Sequence, residues 1–257
     1  MVRGDDSAGG YDRAFCAEGV GDVFARTVAE LDPGLPAGVE PYSFLSSHLL
    51  ACVSRALALV SGDVLVDLGC GRGGPGLWLA RQAEAHLIGV DFSSVAVTHA
   101  SRRAAQAPDR RGRSARFRQG DLAATGLPDA VADALVSIDA LHFPADRAAA
   151  VGEVWRVLRP GGRLVLTGWH PVGIGDERLP ERHRGTDWPA SLTAAGFTVV
   201  DCATDAAWDR TFRAVYTAAL AHGDPGGDAA LAGLQDEARR LLPAAHLLRR
   251  VLVTAAR

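Results

Sequence analysis

The sequence contains neither lysine nor asparagine, and all 27 residues of the lysine and arginine class are arginines. Without lysine, catalysis through a lysine Schiff base or a lysine general base is excluded. The tyrosine–lysine pair with which many oxidoreductases transfer a hydride is excluded for the same reason. The 257 residues are 48% hydrophobic, which suits one α/β domain with added elements better than two separate domains.

Cysteines are also few: Cys16, Cys52, Cys70 and Cys202 are scattered and form no C-x-x-C pair. This spacing argues against a disulfide framework and against a zinc site, so we expect no metal. The formal net charge of −3 gives no reason to expect binding to nucleic acid or to an anionic membrane. The first residues lack the apolar core of a signal peptide, and the apolar segment 48–60 is too short to span a bilayer. We therefore expect a cytoplasmic protein.

From residue 64 onward, short apolar runs alternate with helical patterns. The runs predict strands at 64–69, 86–91, 115–121, 133–139, 163–169, 194–202 (which starts on a helix end) and 249–257. Strands that alternate with helices of this length indicate βαβ crossovers, and so an α/β fold with a doubly wound, Rossmann-like, seven-stranded sheet. We expect the last strand to lie antiparallel at the sheet edge, a Pro-Gly breaker turn at 159–162, and Ser94 as a helix cap.

The two ends of the chain differ from this pattern. Residues 1–60 have helical and loop-like patterns and are predicted to form a lid, whereas 61–257 form the ligand-binding domain. Between the last two strands, about 203–248, lies a helical insertion that is long for a connector. We expect this insertion to be the other half of a cap over the site.

The segment VLVDLGCGRGGPG (64–76) places dense glycine directly after a buried strand. Gly69, Gly71 and Gly74 fit the pattern G-x-G-x-x-G, and Gly73 in place of Gly74 gives G-x-G-x-G. Glycines here let the backbone turn tightly and touch a ligand beside a helix N-terminus. The pattern predicts a nucleotide-type ligand, although many turns of this kind are rich in glycine for packing alone.

Three acidic residues help to identify that ligand. Asp67 would repel the pyrophosphate of a dinucleotide but attract the ammonium group of S-adenosylmethionine; alternatively, it is a structural hydrogen-bonding group. Asp91 ends the second strand and can accept both hydroxyls of a ribose in either cofactor. Asp121 can accept the exocyclic amine of an adenine, or is a turn residue beside Gly120.

Five motifs together resemble the class I S-adenosylmethionine-dependent methyltransferases. They are DLGCGRG (67–73), VDFS (90–93), GDL (120–122), SIDALHF (137–143) and LRPGG (158–162). The resemblance covers about residues 60–170 and is greatest to small-molecule methyltransferases of bacterial natural-product pathways, related to sterol and tocopherol methyltransferases. It implies S-adenosylmethionine as cofactor and a small-molecule acceptor.

The resemblance also implies roles for single residues. The glycines would line the methionine part of the cofactor, Asp91 the ribose, and Asp121 with Leu122 the adenine. Arg72 departs from the small residue common at its position. The full set of candidate cofactor-binding residues is Asp67, Gly69, Gly71, Gly73, Asp91, Phe92, Asp121, Leu122 and Asp139.

Methyl transfer from a sulfonium needs alignment, and it needs a base only where the acceptor must lose a proton. His142 follows the fourth strand at the ligand-binding rim and matches the base of related sugar O-methyltransferases. Those enzymes carry an acid after the fifth strand, where this chain has about Gly168, and His170 is the alternative candidate. His142 is otherwise a cofactor-wall residue or a loop histidine.

The loop 177–185 contains Arg178, Arg182, His183 and Arg184, which are expected either to clamp an anionic acceptor or to form a solvated, charged loop. The candidate pocket walls are Tyr11, Tyr42, Phe44, Trp169 and Trp208.

The sequence therefore predicts a methyltransferase acting on a small metabolite, with O-methylation slightly favoured over N- or C-methylation. The alternatives are an NAD(P)-dependent oxidoreductase and a protein of the same fold that catalyses a rearrangement or cyclisation without methylating. Fold and cofactor motifs do not fix the reaction. The oligomeric state stays open.

Overall fold

The computed structural model describes residues 22–106, 113–173 and 175–257, so Tyr11 and Cys16 lie outside the described residues. The helices are α1 (Asp22–Leu31), α2 (Ser47–Leu57), α3 (Gly74–Ala83), α4 (Ser94–Gln106), α5 (Arg147–Val157), α6 (Glu181–Arg184), α7 (Trp188–Ala194), α8 (Ala206–Ala221), α9 (Ala229–Leu241) and a 3₁₀ helix (Leu242–Leu247). The strands are β1 (Val64–Leu68), β2 (His86–Asp91), β3 (Ala115–Gln119), β4 (Ala132–Ile138), β5 (Leu158–Pro171), β6 (Thr198–Thr204) and β7 (Leu248–Ala256).

The strands form one seven-stranded sheet in the order β3-β2-β1-β4-β5-β7-β6. Strands β1 to β5 are parallel, and β7 is antiparallel to both of its neighbours. The doubly wound, Rossmann-like α/β fold is thereby confirmed. The order in which strands are added reverses at β1, because the chain crosses from β3 on one side of β1 to β4 on its other side. Open α/β sheets bind ligands at such switch points.

The antiparallel orientation expected for the last strand is correct, but its position at the sheet edge is wrong. Strand β7 lies between β5 and β6. Its residues are buried at almost every position, as a strand covered on both faces requires. Strand β6, which is mostly exposed, forms the edge instead.

Two local expectations are also corrected. The cap of α4 is Ser93, whose Oγ accepts a hydrogen bond from the amide of Ala96 at 3.1 Å, and not Ser94, which is the first helical residue. The Pro-Gly segment 159–162 follows the end of α5 at Val157, as expected, but it lies within β5, which begins at Leu158. The four residues interrupt the pairing of β5 with β4 between Leu158 and Arg163, and Gly161 has a φ of +79°.

Helix α2 covers one face of the sheet. Its buried residues Leu49, Leu50 and Val53 belong to the same apolar cluster as Leu65 of β1 and Val136 of β4. Residues 47–57 are thus part of the layer over the sheet, whereas we expected them in a lid. The opposite face is covered by α5 and α7.

A third apolar cluster caps one end of the sheet. It joins Val28 of α1, Phe212 of α8 and Leu231 of α9 to Trp169, near the carboxyl end of β5. The helical insertion expected at about 203–248 supplies most of this cluster and therefore lies at the edge where β5 ends and β7 begins. Within the described ranges, no helix has both the length and the hydropathy needed to cross a membrane.

Candidate active site

The glycine loop after β1 forms an open cradle at the carboxyl edge of the sheet. Gly69, Gly71 and Gly73 all have positive φ, at +74°, +50° and +78°. A Cβ at Gly69 would overlap that of Ala140, so glycine is needed there for the close approach of the loop after β4. A Cβ at Gly71 would meet nothing within 4 Å. The backbone at Gly71 therefore faces open space, and this bare surface fits the methionine part of S-adenosylmethionine.

Asp91 and Asp121 follow neighbouring strands beside this loop. The carboxylate of Asp91 is 5% exposed and accepts hydrogen bonds from the amides of Gly71 at 2.8 Å and Ser93 at 3.0 Å. The amide of Gly120 donates to the carbonyl of Asp91 at 2.9 Å, which holds Asp121 next to it. The structure thus brings together the residues that the sequence assigned to methionine, ribose and adenine.

Asp121, Phe92 and Leu122, the residues predicted to contact the adenosine, have hydrogen-bond or packing partners within the protein. Asp121 accepts a hydrogen bond from the amide of Ala123 at 2.7 Å, the turn geometry given above as its alternative role. Phe92 is half-buried, and its carbonyl accepts from the side-chain amide of Gln119 at 3.0 Å. Leu122 is buried in the apolar cluster of the sheet. Their contacts to an adenosine stay predictions.

Asp67 lies within β1 and is 2% exposed. A Cβ on Gly76 of α3 would overlap its carboxylate, so glycine permits the helix to approach and to donate its amide. Burial, and then the charge of Asp91, raise the pKa of Asp67 to about 7. The structure shows the hydrogen-bonding role that was the alternative for this residue, and its role toward a ligand ammonium stays a prediction.

Asp139, directly after β4, joins four segments of the chain. It has a φ of +55°, a region that few residues other than glycine adopt. One carboxylate oxygen accepts from the hydroxyl of Thr167 at 2.7 Å. The other accepts from the guanidinium of Arg250 at 2.6 Å and from the amide of Phe44 at 3.3 Å. Asp139 therefore ties β4 to β5, to β7 and to the loop before α2.

His142 lies at the same edge and is 6% exposed. Its ring packs against Phe143 at 4.2 Å and His183 at 5.2 Å between centroids. Within the described chain, its Nδ1 is buried without a hydrogen-bond partner. Burial, and then the charges of neighbouring arginines, hold its pKa well below the ordinary value. The imidazole is therefore neutral at neutral pH and able to accept a proton.

His170, the alternative base, is committed to the fold. Its Nε2 accepts a hydrogen bond from the amide of Trp188 at 3.0 Å, at the start of α7. Burial lowers its pKa. Because the accepting nitrogen is already used, the geometry favours His142 over His170 as a base.

The arginine clamp predicted in the loop 177–185 is not formed as a unit. Arg178 pairs with Asp176, Arg184 donates to two backbone carbonyls of its own loop, and Arg182 pairs with Glu237 at 2.8 Å. Only part of this loop reaches the site.

His183 is the part of the loop that lies beside His142. It is 2% exposed, and burial, followed by His142 and two arginines, lowers its pKa to about 2. Arg182 donates to its Nε2 at 3.3 Å, so the proton of the neutral ring is on Nδ1. That Nδ1 is buried, and no hydrogen-bond partner for it lies in the ranges that the structure describes.

Sequence reasoning missed Arg250. It is 0% exposed, its guanidinium lies 5.1 Å from the ring centre of Trp169, and it makes the ion pair with Asp139. The signal in the sequence was weak, because Arg250 is the third residue of LRRVLVTAA and lies directly before its apolar run. Charged side chains are almost never fully buried unless they are paired.

The aromatic residues proposed as pocket walls separate into two groups. Phe44 and Trp169 pack edge to face at 6.0 Å, and Phe44 contacts Tyr216 at 5.0 Å. Tyr42 packs against the same capping cluster. Trp208 lies instead in the apolar cluster that includes the buried residues of α2, and its role as a pocket wall stays a prediction.

Comparison with known proteins identifies the domain. Residues 66–166 match the family described as "Methyltransferase domain". The chain is 37% identical over 155 residues to 27-O-demethylrifamycin SV methyltransferase of Amycolatopsis mediterranei, which covers 57% of this chain and 56% of that protein. It is 31% identical over 140 residues to sterol 24-C-methyltransferase of Eremothecium gossypii, which covers 53% of this chain and 35% of that protein.

A solved structure extends the likeness beyond the matched domain. The crystal structure of the [4+2]-cyclase SpnF superposes with a TM-score of 0.71 and 28% identity, over 82% of this chain and 80% of that one. The chain thus spans just over half of the rifamycin methyltransferase, about a third of the sterol methyltransferase and most of the cyclase.

S-adenosylmethionine is the cofactor of this domain, in agreement with solved neighbours that hold S-adenosyl-L-methionine or S-adenosyl-L-homocysteine. The open cradle at Gly71 and the row of carboxylates beside it fit that ligand. Residues 66–166 therefore belong to the methyltransferase domain family, and the chain is similar to class I S-adenosylmethionine-dependent methyltransferases such as the sterol methyltransferases.

Proposed function

We propose that this chain methylates an oxygen atom of a small-molecule acceptor, in the biosynthesis of a secondary metabolite. The observation that carries the proposal is His142: a buried, neutral imidazole with an unpaired Nδ1, in the segment after β4 whose Ala140 packs against Gly69 of the glycine loop. An oxygen acceptor must lose a proton, whereas a neutral amine offers its lone pair without a base. A cytoplasmic location is part of this proposal.

The cofactor supplies a methyl group on a sulfonium, and the chain's residues hold and orient the reactants. Gly69, Gly71 and Gly73 would line the methionine part of the cofactor, and Asp91 and Asp121 the adenosine. Asp67, Phe92, Leu122 and Asp139 complete the proposed set. The described residues ahead of α2 (22–46) and the insertion at about 203–248 would enclose the acceptor and exclude water.

His142 would take the proton of the acceptor hydroxyl. The low pKa of its imidazole makes it a weak base, so it is best matched to an acidic hydroxyl such as that of a phenol or an enol. The same arginines that lower its pKa would stabilise the oxyanion as it forms. The structure therefore favours acidic hydroxyls over simple alcohols as acceptors.

The test is a screen of phenolic and enolic acceptors that detects a mass gain of one methylene unit in the product. For an acceptor that reacts, His142→Ala should lower kcat at least about 100-fold, the usual scale of general base catalysis. The affinity of the variant for S-adenosylhomocysteine should stay within about twofold of the wild-type value, because His142 would then act as a base and not as part of the cofactor-binding surface. An unchanged kcat, or an equal loss of cofactor affinity, would show that His142 is not the base.

A second candidate function is cyclisation or rearrangement without methyl transfer, and the likeness to the [4+2]-cyclase SpnF favours it. A site with neutral histidines and buried arginines can also polarise a carbonyl substrate. Product of unchanged mass, formed without release of S-adenosylhomocysteine, would support this function in place of methylation.

A further inference from the structure

Unpaired hydrogen-bond donors are concentrated at the end of the sheet where His142 lies. We call Arg147, Arg182, Arg250, His142 and His183 the cationic cluster. Arg147 donates to the carbonyl of Arg182 at 2.8 Å, Arg182 donates to His183 at 3.3 Å, and the rings of His142 and His183 lie 5.2 Å apart. The charge of Arg250 also acts on His142. Its buried atoms without a hydrogen-bond partner in the part of the chain that the structure describes are His142 Nδ1, His183 Nδ1, Arg147 Nε, Arg250 Nε and Arg250 Nη1.

Almost all of these atoms are donors. The guanidinium nitrogens can only donate, and His183 Nδ1 carries the proton because its Nε2 accepts from Arg182. A buried donor without an acceptor costs more than the hydrogen bond itself would contribute, so such groups are rare unless a ligand completes them. The ligand group that completes several donors at once is rich in acceptor atoms and negatively charged.

Arg250 is the member of the cluster with the most nitrogen atoms that lack a hydrogen-bond partner in the described chain. Its Nη2 is bound by Asp139 at 2.6 Å, while Nε and Nη1 have no partner in the described chain. Asp209 lies nearby, but its carboxylate accepts from the backbone amide of Arg250 at 2.8 Å. Asp139 therefore holds the guanidinium in place and leaves part of it available.

We propose that the N–H groups of Arg250 that Asp139 leaves unpaired bind a carboxylate of the acceptor molecule. This proposal rests on the proposed function, since it names a chemical class for the acceptor. The aromatic rings of Trp169 and Phe44 lie against the same place, so the carboxylate belongs to an aromatic or otherwise apolar molecule. Arg250 is 0% exposed and the amide of Phe44 donates to its partner Asp139, so the proposal requires the segment at Phe44 to move when the acceptor enters.

The cofactor also has a carboxylate, in its methionine part. The position of Arg250 in the sheet distinguishes the acceptor carboxylate from the cofactor carboxylate. Arg250 extends from β7 and pairs in register with Trp169 of β5, under the helical cap. The glycine loop that faces the methionine part follows β1, which lies two strands away from β5 and three strands away from β7. This placement assigns Arg250 to the acceptor.

The first experiment uses the full chain loaded with S-adenosylhomocysteine and two calorimetric probes, benzoate and its neutral isostere benzamide. Benzoate should bind at least about tenfold more tightly than benzamide. Arg250→Lys keeps a positive charge opposite Asp139 but loses the planar fork, and should weaken benzoate at least about tenfold without changing benzamide. The matched control is Arg249→Lys, an exposed neighbour on the same strand, which should change neither affinity.

Equal binding of the two probes to the wild-type protein would overturn the proposal, and this comparison stands even if Arg250→Lys fails to fold. Unchanged benzoate affinity in a folded Arg250→Lys protein would overturn it as well. Whether Arg250 binds the carboxylate of the acceptor or that of the cofactor is tested with S-adenosylhomocysteine and with 5′-methylthioadenosine, which lacks the amino-acid part. If Arg250→Lys weakens the first at least about tenfold and leaves the second unchanged, Arg250 binds the cofactor carboxylate and the acceptor assignment is wrong.

These readouts need no turnover. A failed methylation screen would therefore refute the proposed function and leave the anion preference of the site as measured.

Discussion

Removing the carboxylate of Asp139 should destabilise the fold more than any surface ion pair can. The Arg250 side chain is 0% exposed and that of Asp139 8%. Asp139→Ala would leave a buried guanidinium without its counter-charge and Thr167 without its acceptor. Breaking a buried pair in this way costs about 3–5 kcal/mol. For a chain of 257 residues, this lowers Tm by on the order of 10 °C.

The assay is thermal unfolding together with urea titration of the wild type and three variants. The matched control is Asp129→Ala, which removes an Asp–Arg pair whose aspartate is 79% exposed. That pair is worth at most about 1 kcal/mol, since water screens it. The double variant Asp139→Ala/Arg250→Met should recover most of the loss, because it removes the uncompensated charge. Equal losses for Asp139→Ala and Asp129→Ala, or no recovery in the double variant, would refute this reasoning.

Two further predictions concern the carboxylates beside the glycine loop. Asp91→Ala should weaken S-adenosylhomocysteine binding by about 1–3 kcal/mol, the range for a hydrogen bond with a charged partner; unchanged affinity in calorimetry would remove Asp91 from the ribose site. Asp67 has a folded-state pKa raised from 3.8 to about 7, so its contribution to stability is present below pH 4 and is lost as the pH rises toward 7. The free energy of unfolding of Asp67→Asn, measured in urea, should therefore fall less than that of the wild type between pH 4 and 7, and parallel curves would contradict the raised pKa.

The parallel half of the sheet was predictable because its signals are local. An apolar run followed by Gly69, Gly71 and Gly73 specifies a strand, a tight turn and a helix within a few residues. The parallel orientation of β1 to β5 then follows from their alternation with helices, without knowledge of any distant contact. Asp91 and Asp121 could be placed for the same reason, as residues at the ends of neighbouring strands.

The features that were missed depend on contacts between distant parts of the chain. Arg250 and Asp139 are 111 residues apart, and neither residue alone indicates the other. Strand β7 enters between β5 and β6, and only its nearly continuous burial distinguishes that position from the edge. His170 was a candidate base because it directly follows the predicted strand 163–169, but its acceptor nitrogen is used by Trp188, which follows 18 residues later.

The most direct test of the account is a calorimetric titration of the purified protein with S-adenosylmethionine, S-adenosylhomocysteine and NADH in parallel. The account predicts that both sulfur-containing ligands bind and that NADH does not, because a pyrophosphate over the glycine loop would lie beside the carboxyl group of Asp67. Binding of NADH alone would contradict it and would point to an oxidoreductase.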